Sequence, residues 1–378
     1  MAYFDAASAE PMTDVARQVL LAALDDGWAD PARLHAEGRR AALMLDSARE
    51  RMAALLGCRA DEISFTASGT QAAHLAVLGA VEARRSATRG PGHLVVTAVE
   101  HSSILNAAAH AERSGSLLTI VPVGPDGRVD ADAFTGAVTR DRTVLACLQS
   151  ANHEVGTVQP VAKLAAECQA ASVPLLVDAA ASTGRMPAPP GWSLLVASAH
   201  KWGGPPGVGV LAVRKRVRWR SPLPADGREA GRVPGFVNLP AIVSAVAALE
   251  AFDAQREPAD AALRALTAQI RRRLPATVPD CVLYGDPDLR LPHIVAFSCL
   301  YIEGEALVTE LDKAGFSVSS GSSCASETEQ PSHVLAAMGA VTHGNVRVSL
   351  PRDISPEAVD SFLAALGPIV SALRRGGR

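Results

Sequence analysis

Lys201 is the residue whose type and surroundings most directly indicate covalent chemistry. The other lysines are Lys163, Lys215 and Lys313, and only Lys201 ends an apolar stretch before a glycine- and proline-rich segment, 203–207. Open α/β sheets place their ligands at strand ends of this kind. Because desolvation lowers the pKa of a lysine amine, such a residue can form an imine and act as a base. The sequence therefore predicts covalent cofactor binding at Lys201.

Asp178 ends a second apolar stretch, Leu-Leu-Val-Asp. A buried carboxylate at a strand end is costly unless it is paired. The protonated pyridine nitrogen of a cofactor is one suitable partner, and this pairing makes the ring an electron sink. Taken alone, Asp178 leaves a helix N-cap or a buried salt bridge equally open.

A third group of residues has the pattern of an anion site. The segment 65–71 (Phe-Thr-Ala-Ser-Gly-Thr-Gln) leads from a strand into a helix, whose backbone N–H groups and dipole favour an anion. Gly69 allows close approach, the Thr70 hydroxyl can donate a hydrogen bond, and Ser198 and His200 can complete a phosphate shell. Helix capping would explain this short motif by itself. The anion site, Asp178 and Lys201 together are much more specific, and they indicate pyridoxal 5'-phosphate.

Cys324 differs from the other five cysteines, which lie in apolar surroundings. It is flanked by glycine and serine in the segment 319–326, which predicts an exposed, mobile thiol that can react as a thiolate. An incidental surface cysteine is the alternative. No CxxC pair occurs, so we expect neither a disulfide framework nor a metal site.

The order of apolar and amphipathic stretches predicts the elements that must position these residues. Apolar strands alternate with helices up to about residue 250, which indicates an α/β domain with a mainly parallel sheet covered on both faces. The later pattern is mixed. We therefore predict a large α/β domain over 15–250 and a smaller α+β domain formed by 1–14 and 251–378, which carries the cysteine loop.

Composition narrows the class of protein. Of the 378 residues, 48% are hydrophobic and 20% charged, with a net charge of -3, as in an ordinary folded protein. The weak negative charge argues against direct nucleic acid or membrane binding. The first residues lack the pattern of a signal peptide, and no apolar stretch reaches the ~20 residues of a membrane helix. We expect a cytoplasmic protein.

Several motifs resemble those of the class V aminotransferases, and the resemblance extends from Tyr3 to Leu350. They are Ser-x-His-Lys at 198–201, Val-Asp-Ala at 177–179, Val-Glu-His-Ser-Ser at 99–103, and Asn-His-Glu-Val-Gly-Thr-Val-Gln-Pro at 152–160. The block around Cys324, with Gln-Pro-Ser-His-Val-Leu at 330–335, resembles the catalytic-cysteine loop of the cysteine desulfurases of the NifS/IscS type.

The resemblance implies fold type I of the pyridoxal-phosphate enzymes, with a seven-stranded type of sheet. It implies that Lys201 forms the Schiff base and moves the Cα proton, that His101 stacks on the ring as an acid–base, and that Cys324 accepts sulfur. The implied cofactor-binding residues are Gly69, Thr70, His101, His153, Asp178, Ser198, His200 and Lys201. The implied substrate-binding residues are Arg347, which would hold the substrate carboxylate, and Asn152.

The activity implied is that of a sulfurtransferase, which converts L-cysteine to L-alanine and leaves the sulfur on Cys324 as a persulfide for an acceptor protein. A homodimer is implied as well. A selenocysteine or C–S lyase, another class V aminotransferase-like enzyme and a scaffold homologue remain alternatives.

The sequence departs from the family pattern around the cofactor. His153 replaces the asparagine that contacts the phenolic oxygen, and Ala181 replaces a glutamine, which suggests that the imidazole uses the vacated space. The segment 233–236 (Val-Pro-Gly-Phe) lacks the threonine that a partner subunit usually directs to the phosphate. Arg228 or Arg232 is a possible substitute.

Overall fold

The computed structural model describes residues 1–87, 90–320 and 331–376. The helices are α1 (Asp14–Asp26), α2 (Ala36–Leu56), α3 (Gly69–Ala87), α4 (Ser102–Arg113), α5 (Ala131–Ala137), α6 (Val161–Ala170), α7 (Leu239–Ala254), α8 (Arg256–Thr277), α9 (Gly304–Lys313), α10 (His333–Ala337) and α11 (Pro356–Gly376). The strands are β1 (Ala2–Tyr3), β2 (Ile63–Thr66), β3 (His93–Thr97), β4 (Leu117–Val121), β5 (Thr143–Gln149), β6 (Leu175–Asp178), β7 (Leu194–Ser198), β8 (Gly209–Val213), β9 (Cys281–Leu283), β10 (Ile294–Cys299), β11 (Phe316–Ser317) and β12 (Asn345–Ser349).

The largest sheet has seven strands in the order β2-β8-β7-β6-β5-β3-β4. Its pairings are parallel except those of β8, which runs antiparallel to both β2 and β7. Non-consecutive order with parallel pairing requires helical crossovers, as in other α/β folds. The predicted α/β class with a large, mainly parallel sheet is confirmed.

Both faces of this sheet are buried, as its nearly continuous apolar strands predict. Along β5, Leu145 and Cys147 pack with residues of α3 and α4, whereas Ala146 and Leu148 pack with residues of α2, α6 and α7 on the other face. Side chains alternate across a strand, so a strand that is apolar at each of these positions contributes to two cores.

A second core lies around the three-stranded antiparallel sheet β12-β10-β9 and the helices α8, α9 and α11. Phe4 enters this core and meets Phe362 edge-on, with ring centroids 5.3 Å apart. Among the described helices, α11 alone has the length and apolar content of a membrane-crossing segment, and its buried residues Phe362 and Leu366 pack here. The N-terminal residues thus join a core made otherwise from the C-terminal part of the chain. The exact domain boundaries stay a prediction.

Candidate active site

The predicted site residues meet where the parallel strands end. Asp178 is the last residue of β6, and Ser198 is the last residue of the neighbouring β7. Lys201 follows in a short 3-10 helix, Ala199–Trp202. Because parallel strands end at the same edge of a sheet, residues that are far apart in the sequence come together here.

Asp178 is a buried acceptor at the bottom of this site. Its side chain accepts a hydrogen bond from the N–H of Ala180 at 2.9 Å, and the residue is 8% exposed. Burial raises the pKa of Asp178, while His101, the Ala180 N–H and Lys201 act in the opposite direction. Such a carboxyl group is suited to a cationic partner, because a nearby positive charge restores the ionised form.

Lys201 is directed toward the N-terminal segment. Its Nζ atom donates hydrogen bonds to the carbonyl oxygens of Ala7, at 2.5 Å, and of Ser8, at 2.9 Å. The side chain is partly buried. The amine is therefore held between the end of the large sheet and the N-terminal segment.

His101 caps the N-terminus of α4, and this fixes its tautomer. The backbone N–H of Ser103 donates to His101 Nδ1 at 3.1 Å, so the ring proton resides on Nε2. Burial lowers the pKa of His101, an effect that Asp178 opposes and Lys201 reinforces. A neutral ring with an Nε2–H donor at this edge of the sheet can both stack and donate.

His153 lies directly beside His101. The two rings meet edge to face, with centroids 5.1 Å apart and an interplanar angle of 69°. Burial holds the pKa of His153 well below its usual range, and His101, Arg347 and Lys201 add to that effect. The imidazole is therefore neutral at physiological pH. Ala181, which occupies the position of the missing glutamine, packs against a small cluster of Ala7, Ala151, Leu291 and Ile294.

The predicted anion site is assembled at the start of α3. Gly69 lies against Ser198, and a Cβ atom at position 69 would come within 2.7 Å of Ser198 Cβ, so only glycine allows this approach. Ser198 Oγ is 3.1 Å from Nδ1 of His200. Burial lowers the pKa of His200 to about 4. Thr70, in the first turn of α3, is exposed.

Arg347 reaches the site from β12. Its Nη2 atom donates to Asp5 Oδ1 at 2.7 Å and to Ser8 Oγ at 2.6 Å, and its Nη1 donates to the carbonyl oxygen of His153 at 3.0 Å. The residue is 5% exposed, and within the described ranges its buried Nε has no hydrogen-bond partner. Ser8 thus contacts both Arg347 and Lys201. Asp5 and Ser8 were not among the predicted site residues, and only the Tyr3-Phe4-Asp5 resemblance pointed toward this segment.

Asn152 is fully buried, and its side chain holds its own loop. Its Oδ1 accepts from the N–H groups of Glu154 and Val155, both at 2.8 Å, and its Nδ2 donates to the Val99 carbonyl oxygen at 3.3 Å. These contacts place Asn152 as a support of the loop that presents His153. Its predicted contact with substrate stays a prediction.

Two contacts that sequence reasoning missed tie the start of α10 to the site. Ser332 Oγ donates to Glu154 Oε2 at 2.5 Å, and His333 Nε2 lies 2.9 Å from the Glu100 carbonyl oxygen. Glu154 and Glu100 both flank site histidines in the sequence. No pattern in the sequence connected them to Ser332 and His333, which lie 178 and 233 positions further along the chain. Cys324 lies outside the described residues.

The two arginines considered as substitutes for the absent threonine are engaged elsewhere. Arg228 pairs with Asp30 at 2.9 Å. Arg232 donates to the carbonyl oxygen of Asp61 and to Ser64 Oγ. Both guanidinium groups therefore tie their loop to other segments of the same chain, and a contact with the phosphate site of a partner subunit stays a prediction.

The residues fit pyridoxal phosphate. Asp178 is a buried acceptor suited to a protonated ring nitrogen, and the approach of Gly69 to Ser198 forms a cradle that a Cβ atom would fill. Lys201 supplies the amine, and His101 and His153 supply flat neutral rings. An acid, an amine and an anion cradle at one strand edge match the three polar parts of this cofactor.

Comparison with known proteins agrees with this geometry. The family described as Aminotransferase class-V matches residues 2–362. A curated relative named "Cysteine desulfurase IscS 1", from Archaeoglobus fulgidus, is 34% identical over 380 residues, covering 99% of this chain and 98% of its own length. "Cysteine desulfurase NifS" from Azotobacter vinelandii is 32% identical, covering 98% of this chain and 93% of its own length. The chain belongs to the class V aminotransferase family, in the group of the IscS and NifS cysteine desulfurases.

A solved structure described as a NifS-like protein superposes with a TM-score of 0.90 at 27% identity, covering 98% of this chain and all of that chain. The fold is thus that of the class V enzymes. The recognition of this family from the motifs around Lys201 and Cys324 is confirmed.

Proposed function

We propose that this protein is a cysteine desulfurase, which converts L-cysteine to L-alanine and transfers the sulfur to Cys324. The observation that supports this most is the convergence of Lys201 and Arg347 on Ser8. An amine and a guanidinium that share one small residue can act on the two ends of a single amino acid. The names of the curated relatives, cysteine desulfurases of the IscS and NifS type, agree with this reading.

Pyridoxal phosphate, when bound at Lys201, supplies an electron sink for the bonds at the substrate Cα. Asp178 would hold its ring nitrogen, Gly69, Thr70, Ser198 and His200 would hold its phosphate, and His101 would lie against its ring. His153 would reach its phenolic oxygen.

The substrate is held and deprotonated by residues of this chain. Arg347 binds the carboxylate, since a buried guanidinium recognises this group by paired, charge-assisted hydrogen bonds. Lys201 Nζ then takes the proton from Cα and later returns it. His101, with its proton on Nε2, orients the reacting atoms by donating that hydrogen.

Sulfur transfer is assigned to Cys324. Its thiolate attacks the substrate sulfur, so that a new S–S bond forms while the Cβ–S bond breaks. The electron pair of the broken bond remains on Cβ, which takes up a proton and becomes the methyl group of alanine. Cys324 is left as a persulfide for an acceptor protein, whose identity the sequence does not define.

A homodimer accords with the surface of the N-terminal helices. Leu21 and Leu24 on α1, Trp28 and Leu34 after it, and Leu43 on α2 are between 54% and 89% exposed. Large apolar side chains that stay exposed along one continuous stretch of chain favour a protein interface there. Light scattering should therefore give twice the chain mass, and Leu43→Glu should shift the protein toward a monomer. A wild-type monomer at micromolar concentration would contradict the dimer. We also propose a cytoplasmic location.

The activity is tested with the purified holoenzyme and L-cysteine. Alanine formation and a gain of one sulfur atom on the peptide containing Cys324, detected by mass spectrometry, are expected together. Cys324→Ser should abolish both, whereas Cys58→Ser, which removes a half-buried thiol of the large domain, should retain both. Alanine formed at the wild-type rate by Cys324→Ser would instead indicate a lyase. A protein that gives no alanine and binds no pyridoxal phosphate would indicate a scaffold.

A further inference from the structure

Cys281 and Cys299 face each other across two neighbouring strands of the smaller sheet. Strands β9 and β10 are antiparallel, and their register places Cys281 opposite Cys299. The two sulfur atoms are not bonded to each other. Neither residue belongs to the site around Lys201, and the proposed reaction uses neither thiol.

The hydrogen bonds at the two ends of this ladder define which kind of pair the cysteines form. Leu300 N donates to the Asp280 carbonyl oxygen at 3.0 Å, and Tyr284 N donates to the Ala296 carbonyl oxygen at 2.9 Å. Hydrogen-bonded pairs alternate with non-hydrogen-bonded pairs in an antiparallel ladder. Cys281 and Cys299 therefore form a non-hydrogen-bonded pair. The backbone N–H of Cys299 points away from β9 and donates to the carbonyl oxygen of Gly344, just before β12.

This position brings the side chains unusually close. Facing Cα atoms in a non-hydrogen-bonded pair are about 4.5 Å apart. Disulfides span Cα separations of about 4.4–6.8 Å. The register thus permits a disulfide between Cys281 and Cys299 with little movement of the backbone.

The two thiols lie close enough to shift each other's pKa. The neighbouring Cys281 thiol lowers the pKa of Cys299, burial acts in the opposite direction, and Arg374 adds to the lowering. The same contact, together with burial, raises the pKa of Cys281. Both shifts arise from the proximity of the two sulfur atoms, and the strand register already places the two residues at facing positions.

We propose that Cys281 and Cys299 are a redox-modification site, at which a small peroxide converts the two thiols into a cross-strand disulfide. Cys281 is half-buried whereas Cys299 is fully buried, so the peroxide meets the Cys281 sulfur first. Cys281 is oxidised to a sulfenic acid, and the peroxide is reduced, releasing one water. The Cys299 sulfur then attacks the Cys281 sulfur, the S–O bond breaks and a second water leaves. Two thiols are thereby oxidised by one hydrogen peroxide.

The sequence supplies a direct readout. Trypsin cleavage after Arg273, Arg290 and Lys313 places Cys281 in the peptide 274–290 and Cys299 in the peptide 291–313, with no other cysteine in either. The reduced holoenzyme is treated with hydrogen peroxide, the residual thiols are alkylated, and the protein is digested without reductant. We use a Cys324→Ser background so that the catalytic thiol does not take part.

The expected product is the two peptides joined by a disulfide, with the loss of two hydrogens, and dithiothreitol should release both. Cys58→Ser should leave this product unchanged, because Cys58 is a half-buried thiol with no cysteine opposite it on a paired strand. Cys281→Ser should remove the product and leave a Cys299 peptide that alkylates normally after unfolding.

Two results would overturn the proposal. One is full alkylation of both peptides after peroxide treatment that has already oxidised Cys58. The other is conversion of Cys281 to a sulfinic or sulfonic acid without any joined peptide, since a partner thiol at this distance would intercept the sulfenic acid first. Both results are measured in the Cys324→Ser background with Cys281 and Cys299 unchanged, so neither depends on the folding of a Cys281 or Cys299 variant.

Discussion

The imidazole of His153 stands edge to face against that of His101, with ring centroids 5.1 Å apart. Both rings are half-buried near Lys201, and desolvation lowers the pKa of each. His153 is also linked to Arg347, which donates a hydrogen bond to its carbonyl oxygen. One residue therefore connects the proposed ring-binding and carboxylate-binding parts of the site.

His153→Ala should weaken the binding of pyridoxal phosphate. The loss of one hydrogen bond to the cofactor corresponds to about 0.5–1.5 kcal/mol, or roughly a 3- to 10-fold higher Kd. His153→Asn, which keeps a donor at this position, should remain near the wild-type value. The measurement is a fluorescence titration of the apoprotein with the cofactor. Equal affinities for the alanine variant and the wild type would place His153 outside the cofactor shell.

Arg347→Lys should lower kcat/KM for L-cysteine, with the larger change in KM. A lysine cannot replace the paired hydrogen bonds of the guanidinium to a carboxylate, a loss of about 1.5–3 kcal/mol or roughly 10- to 100-fold. Arg374→Lys is a matched control, because Arg374 donates to Leu300 O in the same domain away from the site. Steady-state kinetics of both variants with L-cysteine give kcat and KM separately. An unchanged KM in Arg347→Lys would exclude the proposed carboxylate contact.

Glu100→Gln should change how stability depends on pH. Burial raises the pKa of Glu100 to about 8, although Thr97 and the Gln149 N–H oppose this rise. The folded protein thus retains a proton that the unfolded chain loses near pH 4.5. The contribution of this group is complete below pH 4.5 and is lost as the pH rises through about 8, by roughly 5 kcal/mol at most. Urea unfolding from pH 5 to 8 should show a smaller loss of stability in the variant.

Glu62→Gln is a control in which the pKa shift, and therefore the pH dependence of stability, has the opposite direction. Burial alone would raise the pKa of Glu62, but the N–H groups of Arg59 and Lys215 and the side chain of Arg214 outweigh it and lower the pKa. Its stabilising contribution is present above pH 4.5 and is lost as the pH falls below that value. The variant should therefore be less stable at pH 7. A parallel pH dependence for Glu100→Gln and the wild type would show that Glu100 is ionised in the folded state.

Ser332→Ala should destabilise the attachment of α10 to the site. Ser332 Oγ donates to the buried Glu154 and accepts from the N–H of Leu335, so its removal leaves two buried groups unpaired. The expected cost is about 1–3 kcal/mol in the free energy of unfolding. Ser355→Ala removes only the contact to the Ala358 N–H at the start of α11 and should cost less. Similar losses in the two variants would show that the Glu154 contact contributes little.

Local sequence patterns predicted those helices and strands whose residues are selected by burial and by short-range contacts. The apolar runs at 143–149, 175–178 and 194–198 are strands, because a strand buried on both faces must be apolar at nearly every position. Lys201, Asp178 and Gly69 could be selected as site candidates because strand ends and helix starts carry recognisable residues. The short helix α5 and the two-residue strands β1 and β11 have too few residues for such a pattern to develop.

The contacts between distant segments were decided only by tertiary structure. Nothing local in the sequence indicates that Asp5 and Ser8 meet Arg347, that Ser332 meets Glu154, or that Cys281 faces Cys299. Each of these pairs depends on how two segments are aligned after folding, and alignment is set by packing over the whole core. The sequence was sufficient to suggest the chemical role of individual residues such as Lys201 and Asp178. Which of these residues contact each other depends on the tertiary structure, because folding places segments side by side that are far apart in the sequence.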